Sequence, residues 1–353
     1  MNIFRLITIV ALFNWLSPIN AIAEQESAKS PTVGKFLGAK ESELPDWFKE
    51  SFLEFEEDIA EAAEENKRLL LYFHQAGCPY CDKLINDNFA DAVIGKKVRE
   101  NFDIVAINMW GDRDVVQVGG QQFTEKTLAA AMNVNFTPTL LFFAEDKQVA
   151  LRLDGYYPSA EFLHAINYVA EKKEKQESFA SYMASLKSEK KSGELTTSQW
   201  VEQSPQEKLD LSTLSTEKNL AVILSEPACE TCDLLHQKVF QNESAAELLN
   251  QYHVVQVNRW SDDPITLPDG TSAQIAEWAD RLNIGFAPAM VFFNRNREQI
   301  IVVDAMFKTF HVLGVFDYVA SGAYAEEPSF QRYLSERAER IRHTGKDVDI
   351  WSY

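Results

Sequence analysis

The chain's four cysteines fall in two units of one spacing, Cys78-Pro79-Tyr80-Cys81 and Cys229-Glu230-Thr231-Cys232. Each unit follows a short apolar run, 69–73 or 220–224, that reads as a buried strand, and each opens a stretch that reads as a helix. Unpaired N–H groups at a helix N-terminus stabilise a thiolate, the reactive form of cysteine. The first cysteine, exposed at the turn, can then attack a substrate disulfide. The second lies one helical turn along the same face; it can attack the mixed disulfide and release the reduced substrate. Three other uses compete. A structural disulfide across two residues staples almost nothing. Zinc needs four ligands, and the pairs lie 151 residues apart (78 to 229) without a His-x-x-His partner, so no metal is expected. Inert core cysteines would not pair so regularly. Redox exchange fits best.

The elements that must hold these units occur twice. Lys67-Arg68-Leu69-Leu70-Leu71-Tyr72-Phe73 precedes the first unit as Lys218-Asn219-Leu220-Ala221-Val222-Ile223-Leu224 precedes the second. Asp82 matches Asp233, Phe89 matches Phe240, and Trp110 matches Trp260. Phe136-Thr137-Pro138 matches Phe286-Ala287-Pro288; Asp154 and Tyr168 match Asp304 and Tyr318; Phe179 and Tyr182 match Phe330 and Tyr333. The offset is 151, then 150, then 151 again (229 − 78, 288 − 138, 330 − 179), so two one-residue indels separate two copies. Within the first copy the pattern predicts strands at 69–73 and 102–109, helices at 81–98 and 124–132, strands at 139–143 and 150–153, and a last helix at 159–170 capped by Ser159. The second copy predicts strands at 220–224, 254–257, 290–293 and 300–303. This is an α/β architecture with a mixed sheet in each copy. An amphipathic helix starting at Pro45, with Phe48, Phe52, Phe55 and Ile59 on one face, is expected before the first copy.

A length of 353 residues suits two domains, and 46% hydrophobic with 25% charged residues is a globular profile. The net charge is −19, from 53 acidic and 34 basic residues, which leaves no basic face for nucleic acid and disfavours an anionic membrane surface. Arg5, the apolar run 6–16 and Ala21-Ile22-Ala23 read as a signal peptide cut before Glu24. The apolar run is too short to span a bilayer, and nothing downstream reads as a transmembrane helix. The expected organisation is a signal peptide at 1–23, an extension at 24–44, domains at 45–186 and 206–340, a linker at 187–205 with its flexible point at 193–197, and a tail at 341–353. The expected location is periplasmic or secreted, where disulfides form.

A strand, Cys-x-x-Cys, a helix, and then an x-Pro about sixty residues later at the start of a strand resembles the thioredoxin superfamily. The resemblance covers nearly all of 69–182 and implies two tandem thioredoxin-like domains, each a mixed β-sheet flanked by helices. It implies that Cys78 is the nucleophile and Cys81 the resolving cysteine. It implies that Pro138 is a cis-proline, with Thr137 before it offering backbone hydrogen bonds to substrate. In the second copy Cys229, Cys232, Ala287 and Pro288 fill the same positions. The dipeptide Pro79-Tyr80 is similar to that of glutaredoxins and some periplasmic disulfide isomerases. The first copy, including Gly155-Tyr156-Tyr157-Pro158, is similar to the secreted thioredoxin-related proteins of bacterial sulfur-oxidation systems. Two departures stand out. Thioredoxin's buried acid six residues before the nucleophile is Tyr72 here and Ile223 in the second copy, and its tryptophan just before the nucleophile is Gly77. No glutathione-specific basic cluster is present.

Glu230 places a negative charge beside the second nucleophile and opposes thiolate formation there, whereas the retained spacing favours activity. His74 reads as an exposed loop histidine. Trp110 and Trp260 read as packing under a loop rather than lining a substrate surface. With no nucleotide fingerprint, no bound cofactor is expected; electrons would come from a membrane thiol carrier and pass to disulfide-bearing exported proteins. The leading expectation is a disulfide reductase. The alternatives are an oxidase or isomerase, because direction depends on reduction potential, and a binding or chaperone module with vestigial cysteines.

Overall fold

The computed structural model describes residues 33–186, 193–202 and 209–353. The expected signal peptide and part of the linker lie outside the described residues. In chain order the elements are β1 (Phe36–Leu37), α1 (Phe55–Glu64), β2 (Arg68–His74), α2 (Pro79–Lys83), α3 (Ala92–Asn101), β3 (Phe102–Asn108), β4 (Asp114–Val116), β5 (Gln122–Thr124), α4 (Glu125–Ala131), β6 (Thr139–Phe143), β7 (Val149–Asp154), α5 (Ser159–Ala170) and α6 (Phe179–Leu186). They continue as β8 (Leu209–Asp210), β9 (Asn219–Ser225), α7 (Glu230–Leu234), α8 (Ala245–Leu249), β10 (Tyr252–Asn258), β11 (Pro264–Thr266), β12 (Ser272–Gln274), α9 (Ile275–Arg281), β13 (Ala289–Phe293), β14 (Gln299–Val303), α10 (Thr309–Ala320), α11 (Phe330–His343) and β15 (Val348–Asp349).

Each copy builds one four-stranded mixed sheet, in order β3-β2-β6-β7 and β10-β9-β13-β14. The central strands β2 and β9 run parallel to β3 and β10 and antiparallel to β6 and β13. They are covered on both faces, which is why 69–73 and 220–224 read as unbroken apolar runs rather than alternating ones. Among the described residues no helix is long and apolar enough to cross a membrane.

Three expectations about helices need correction. Pro45 to Phe48 makes a turn and the helix starts only at Phe55, leaving Phe52 95% exposed. Leu53 takes a positive φ of 64° with its N–H held by Ser51 Oγ, which stops a helix from running through. Trp47 and Phe48 instead set their rings edge-on against Phe89. The stretch 81–98 is not one helix either. α2 widens into a π turn over Leu84–Phe89, and Asp91 then caps α3 by accepting from the N–H groups of Val93 and Ile94. Ser159 is the first residue of α5 rather than its cap; its hydroxyl donates to Asn88 Oδ1 at 2.9 Å.

The two domains meet through equivalent segments, as in a two-fold pair. Tyr156 forms an antiparallel bridge with its own counterpart Met306. Phe136 stacks near Phe307 at 5.0 Å, and the matching pair Phe286 and Tyr157 at 5.4 Å. A Cβ on Gly155 would lie 2.6 Å from Ala305 Cβ, so the approach at this axis needs glycine on one side. Each domain's last helix crosses to the other. Phe179 at the start of α6 lies against Gly285, and Gln331 on α11 donates to the Asn135 carbonyl at 2.9 Å. The first and last strands of the described residues also join, since β1 pairs parallel with β15.

Candidate active site

β2 ends at His74, and the loop through Gly77, at a φ of 72°, turns the chain so that Cys78 becomes the N-cap of α2. Pro79 takes the first helical position, where a missing N–H loses nothing. The Cys81 N–H points at Cys78 Sγ from 3.0 Å. Cys78 and Cys81 form a disulfide. The peptide between Thr137 and Pro138 is cis and brings the Thr137 carbonyl oxygen to 3.5 Å from Cys78 Sγ. Cys78 and Cys81 at the start of α2 thus converge with Thr137 and Pro138 at the entry to β6.

The second copy repeats the arrangement. Cys229 caps α7 with the Cys232 N–H 3.1 Å from its sulfur, the two cysteines form a disulfide, and Ala287–Pro288 is cis. One contact differs. The Thr231 hydroxyl donates to the Ala287 carbonyl at 2.6 Å, so the second copy fills with its own side chain an acceptor that Tyr80 leaves open in the first. Glu230 is exposed at the start of α7.

The first cysteines are not exposed as the sequence pattern implied. Cys78 is 5% and Cys229 7% exposed. Beside Cys78 stands the other domain, whose Phe307, Phe310, His311 and Leu334 line the same cleft. Tyr80 is buried beneath it, with its ring against Phe307, His311 and Trp351. The Tyr80 hydroxyl accepts from the Lys308 N–H at 2.8 Å and lies 3.3 Å from His311 Nδ1. His74, expected in an exposed loop, closes β2 and stacks on Tyr72; burial lowers its pKa. Tyr72, at the position where thioredoxin holds an acid, is fully buried, and its hydroxyl has no hydrogen-bond partner among the described residues. Burial raises its pKa further from use as a base.

Trp110 and Trp260 have equivalent partners. The Trp110 indole N–H donates to Gln75 and the Trp260 indole N–H to Glu226. Gln75 in turn donates to Thr137 Oγ1 at 2.9 Å and to Gln331 Oε1 at 2.7 Å. Trp110 therefore braces the loop before Cys78. The reading of the sequence missed His311, Gln331 and Phe307, because they lie in the other copy and no local pattern marks them. Among the described residues no cluster of ligating side chains could hold a metal ion.

Residues 55–170 and 206–306 match the model of the thioredoxin-like domain family. The chain belongs to that family. No curated protein matches it. Among solved structures, the thioredoxin-like chain is similar to a thioredoxin-fold protein from Helicobacter pylori at 22% identity, covering 35% of this chain and 81% of that one with a TM-score of 0.32. It is also similar to a thioredoxin from Thermus thermophilus, at 21% identity over 40% of this chain and 89% of that one, TM-score 0.27. A third similarity is to the periplasmic thioredoxin SoxS from Paracoccus pantotrophus, at 22% identity over 30% of this chain and 99% of that one, TM-score 0.22. Two thioredoxin-like domains, each with a Cys-x-x-Cys pair in disulfide form, are consistent with thiol–disulfide exchange.

Proposed function

We propose that this chain is an exported thiol–disulfide oxidoreductase that reduces disulfides in proteins outside the cytoplasm, with Cys78 as its principal nucleophile. The supporting observation is the convergence of Cys78 Sγ, the Cys81 N–H and the Thr137 carbonyl at the end of a buried strand. In the reduced protein the Cys78 thiolate attacks one sulfur of the substrate disulfide, and the other sulfur leaves as a thiolate that takes up a proton. Cys81 then attacks Cys78 Sγ, closing the Cys78–Cys81 disulfide and releasing the second substrate thiol. The substrate gains two electrons and two protons; both electrons come from the cysteine pair, one proton from the Cys81 thiol and one from water. A membrane thiol carrier would restore the dithiol. The apolar run 6–16 with Ala21-Ile22-Ala23 supports export.

One observation favours a binding module instead, namely that both nucleophiles are buried. A dithiothreitol-coupled insulin reduction assay separates the two. Cys78→Ser should remove most of the activity, at least about tenfold, since the thiolate is the attacking species; unchanged activity would leave the binding reading. Cys78→Ser/Cys81→Ser and Cys229→Ser/Cys232→Ser compared in parallel rank the two sites. The first pair is expected to carry more of the rate, because Glu230 disfavours the second thiolate. Separate reduction potentials of the two sites decide between reductase and oxidase.

A further inference from the structure

Over Cys78 lies a cleft of about 250 Å³ whose far wall is not part of the first domain. Phe307, Phe310 and Leu334 of the second domain, with Phe36 of β1 and Ile350 just after β15, give it apolar sides. Among the described residues its polar lining is limited to uncharged groups such as Gln75, Thr137, Gln331 and Ser335, with no Asp, Glu, Lys or Arg. His311, also in the lining, is half-buried and held neutral, its pKa lowered to about 3 by burial and then by Arg337. A volume of this size lies at or below the lower end of small-ligand sites, about 300 Å³. It holds one or two side chains, not a folded surface.

The backbone edge beside the nucleophile is also partly occupied. A substrate strand that adds alongside 135–137 needs free backbone groups there. Gln331 reaches across from α11, donates to the Asn135 carbonyl and accepts from Gln75, which itself holds Thr137. The second domain therefore occupies with one side chain the Asn135 acceptor of this edge, while the Thr137 carbonyl stays open.

We infer that the Cys78 cleft selects slender, uncharged disulfides and rejects both charged ones and those set in a folded surface, with Gln331 as the specificity-determining contact. This deepens the proposed function and rests on Cys78 being its nucleophile. The selectivity has a simple cause. A charge entering this cleft loses its water and meets no opposite charge in the lining. A folded surface meets the wall built by α11 before its sulfur reaches Cys78. Slender disulfides come from two sources, small molecules and flexible polypeptide, and the test keeps them apart.

The experiment uses full-length Cys229→Ser/Cys232→Ser protein, reduced and freed of reductant, so that only Cys78 and Cys81 donate electrons. It is mixed with bis(2-hydroxyethyl) disulfide, with cystamine, with 3,3′-dithiodipropionate, with an unstructured uncharged peptide carrying one disulfide, and with a folded protein bearing a surface disulfide. Oxidation is read from the mass of alkylated protein over time, and each rate is divided by that of dithiothreitol with the same substrate. The neutral small disulfide should exceed both charged ones by at least about tenfold, the expected scale for burying an unpaired charge. The folded protein should be slowest. Gln331→Ala should raise the peptide's rate several-fold by freeing the Asn135 carbonyl. Ser335→Lys, at the exposed rim, should raise the dithiodipropionate rate relative to cystamine several-fold and keeps the test alive if Gln331→Ala fails to fold. A peptide as fast as the small neutral disulfide would name flexible polypeptide as the source, and a slow one small molecules; both sustain the selectivity. Equal normalised rates across neutral, charged and folded substrates would overturn it. No oxidation of Cys78 by any disulfide would instead overturn its role as nucleophile.

Discussion

His311 makes the stability of the closed arrangement depend on pH in a calculable way. It lies on α10, half-buried, and its pKa falls from 6.5 to about 3, through burial first and Arg337 second. The Tyr80 hydroxyl already accepts from the Lys308 N–H, so its own proton is free for His311 Nδ1, and the ring is neutral with its hydrogen on Nε2. In the unfolded chain the imidazole titrates near its ordinary value of about 6.5. The folded pKa is the lower one, so below pH 6.5 the unfolded state binds more protons. Stability from this group is therefore intact above pH 6.5, falls as the pH drops, and stops falling near pH 3, where the folded state protonates too. At pH 5 the difference is about 1.5 pH units of linkage, or about 2 kcal/mol; at pH 6 it is about 0.8 kcal/mol. His311→Gln keeps an acceptor for Tyr80 and removes the titration. Urea unfolding of both proteins at pH 7 and pH 5 is the assay, and all other groups cancel in the comparison. Wild type should lose about 2 kcal/mol more than the variant between these pH values. Parallel losses in the two proteins would refute the argument.

Gly155→Ala puts a methyl 2.6 Å from Ala305 and 2.9 Å from Phe307 on a residue with a φ of 98°, so a loss of about 1–3 kcal/mol is expected and an unchanged melting temperature would contradict the contact. Asp304 is half-buried and accepts from Tyr157 OH, Gly285 N–H and Phe286 N–H. Asp304→Ala strands three donors at about 1–3 kcal/mol each, a large share of a domain's usual stability of about 5–15 kcal/mol. Thermal denaturation should show a collapse of stability, and a mild shift would mean that Tyr157 relocates to water. Alkylation of reduced native protein should label Cys78 before Cys81, since they are 5% and 1% exposed, yet slowly for both. Denaturant should speed labelling by a bulky, charged maleimide at least about tenfold, because such a reagent does not fit the cleft without opening. Native Cys78 labelled as fast as in urea would show that the second domain does not cover it.

The local chemistry of this protein is written in its sequence. The apolar runs 69–73 and 220–224, the Cys-x-x-Cys units after them, and Pro138 and Pro288 at strand starts are short-range patterns, and the strands they announce stand at β2, β9, β6 and β13. The ordered matches between the halves announced two copies for the same reason. Helix boundaries were less legible. Phe48, Phe52, Phe55 and Ile59 keep a helical period, but Leu53 and Ser51 break the helix with a backbone conformation that periodicity does not register. What no local pattern contains is the meeting of the copies. Burial of Tyr80, inside the Cys-x-x-Cys unit, depends on Phe307 and His311, more than 200 positions away (311 − 80), and on an approach that Gly155 permits at the axis. The −19 charge spread along the chain gives no hint that the cleft over the nucleophile is uncharged. Spacing along a chain sets which side chains share a strand or a helix face. Which surface then closes over a nucleophile is settled by shape and burial between elements distant in sequence, and only the tertiary structure records that.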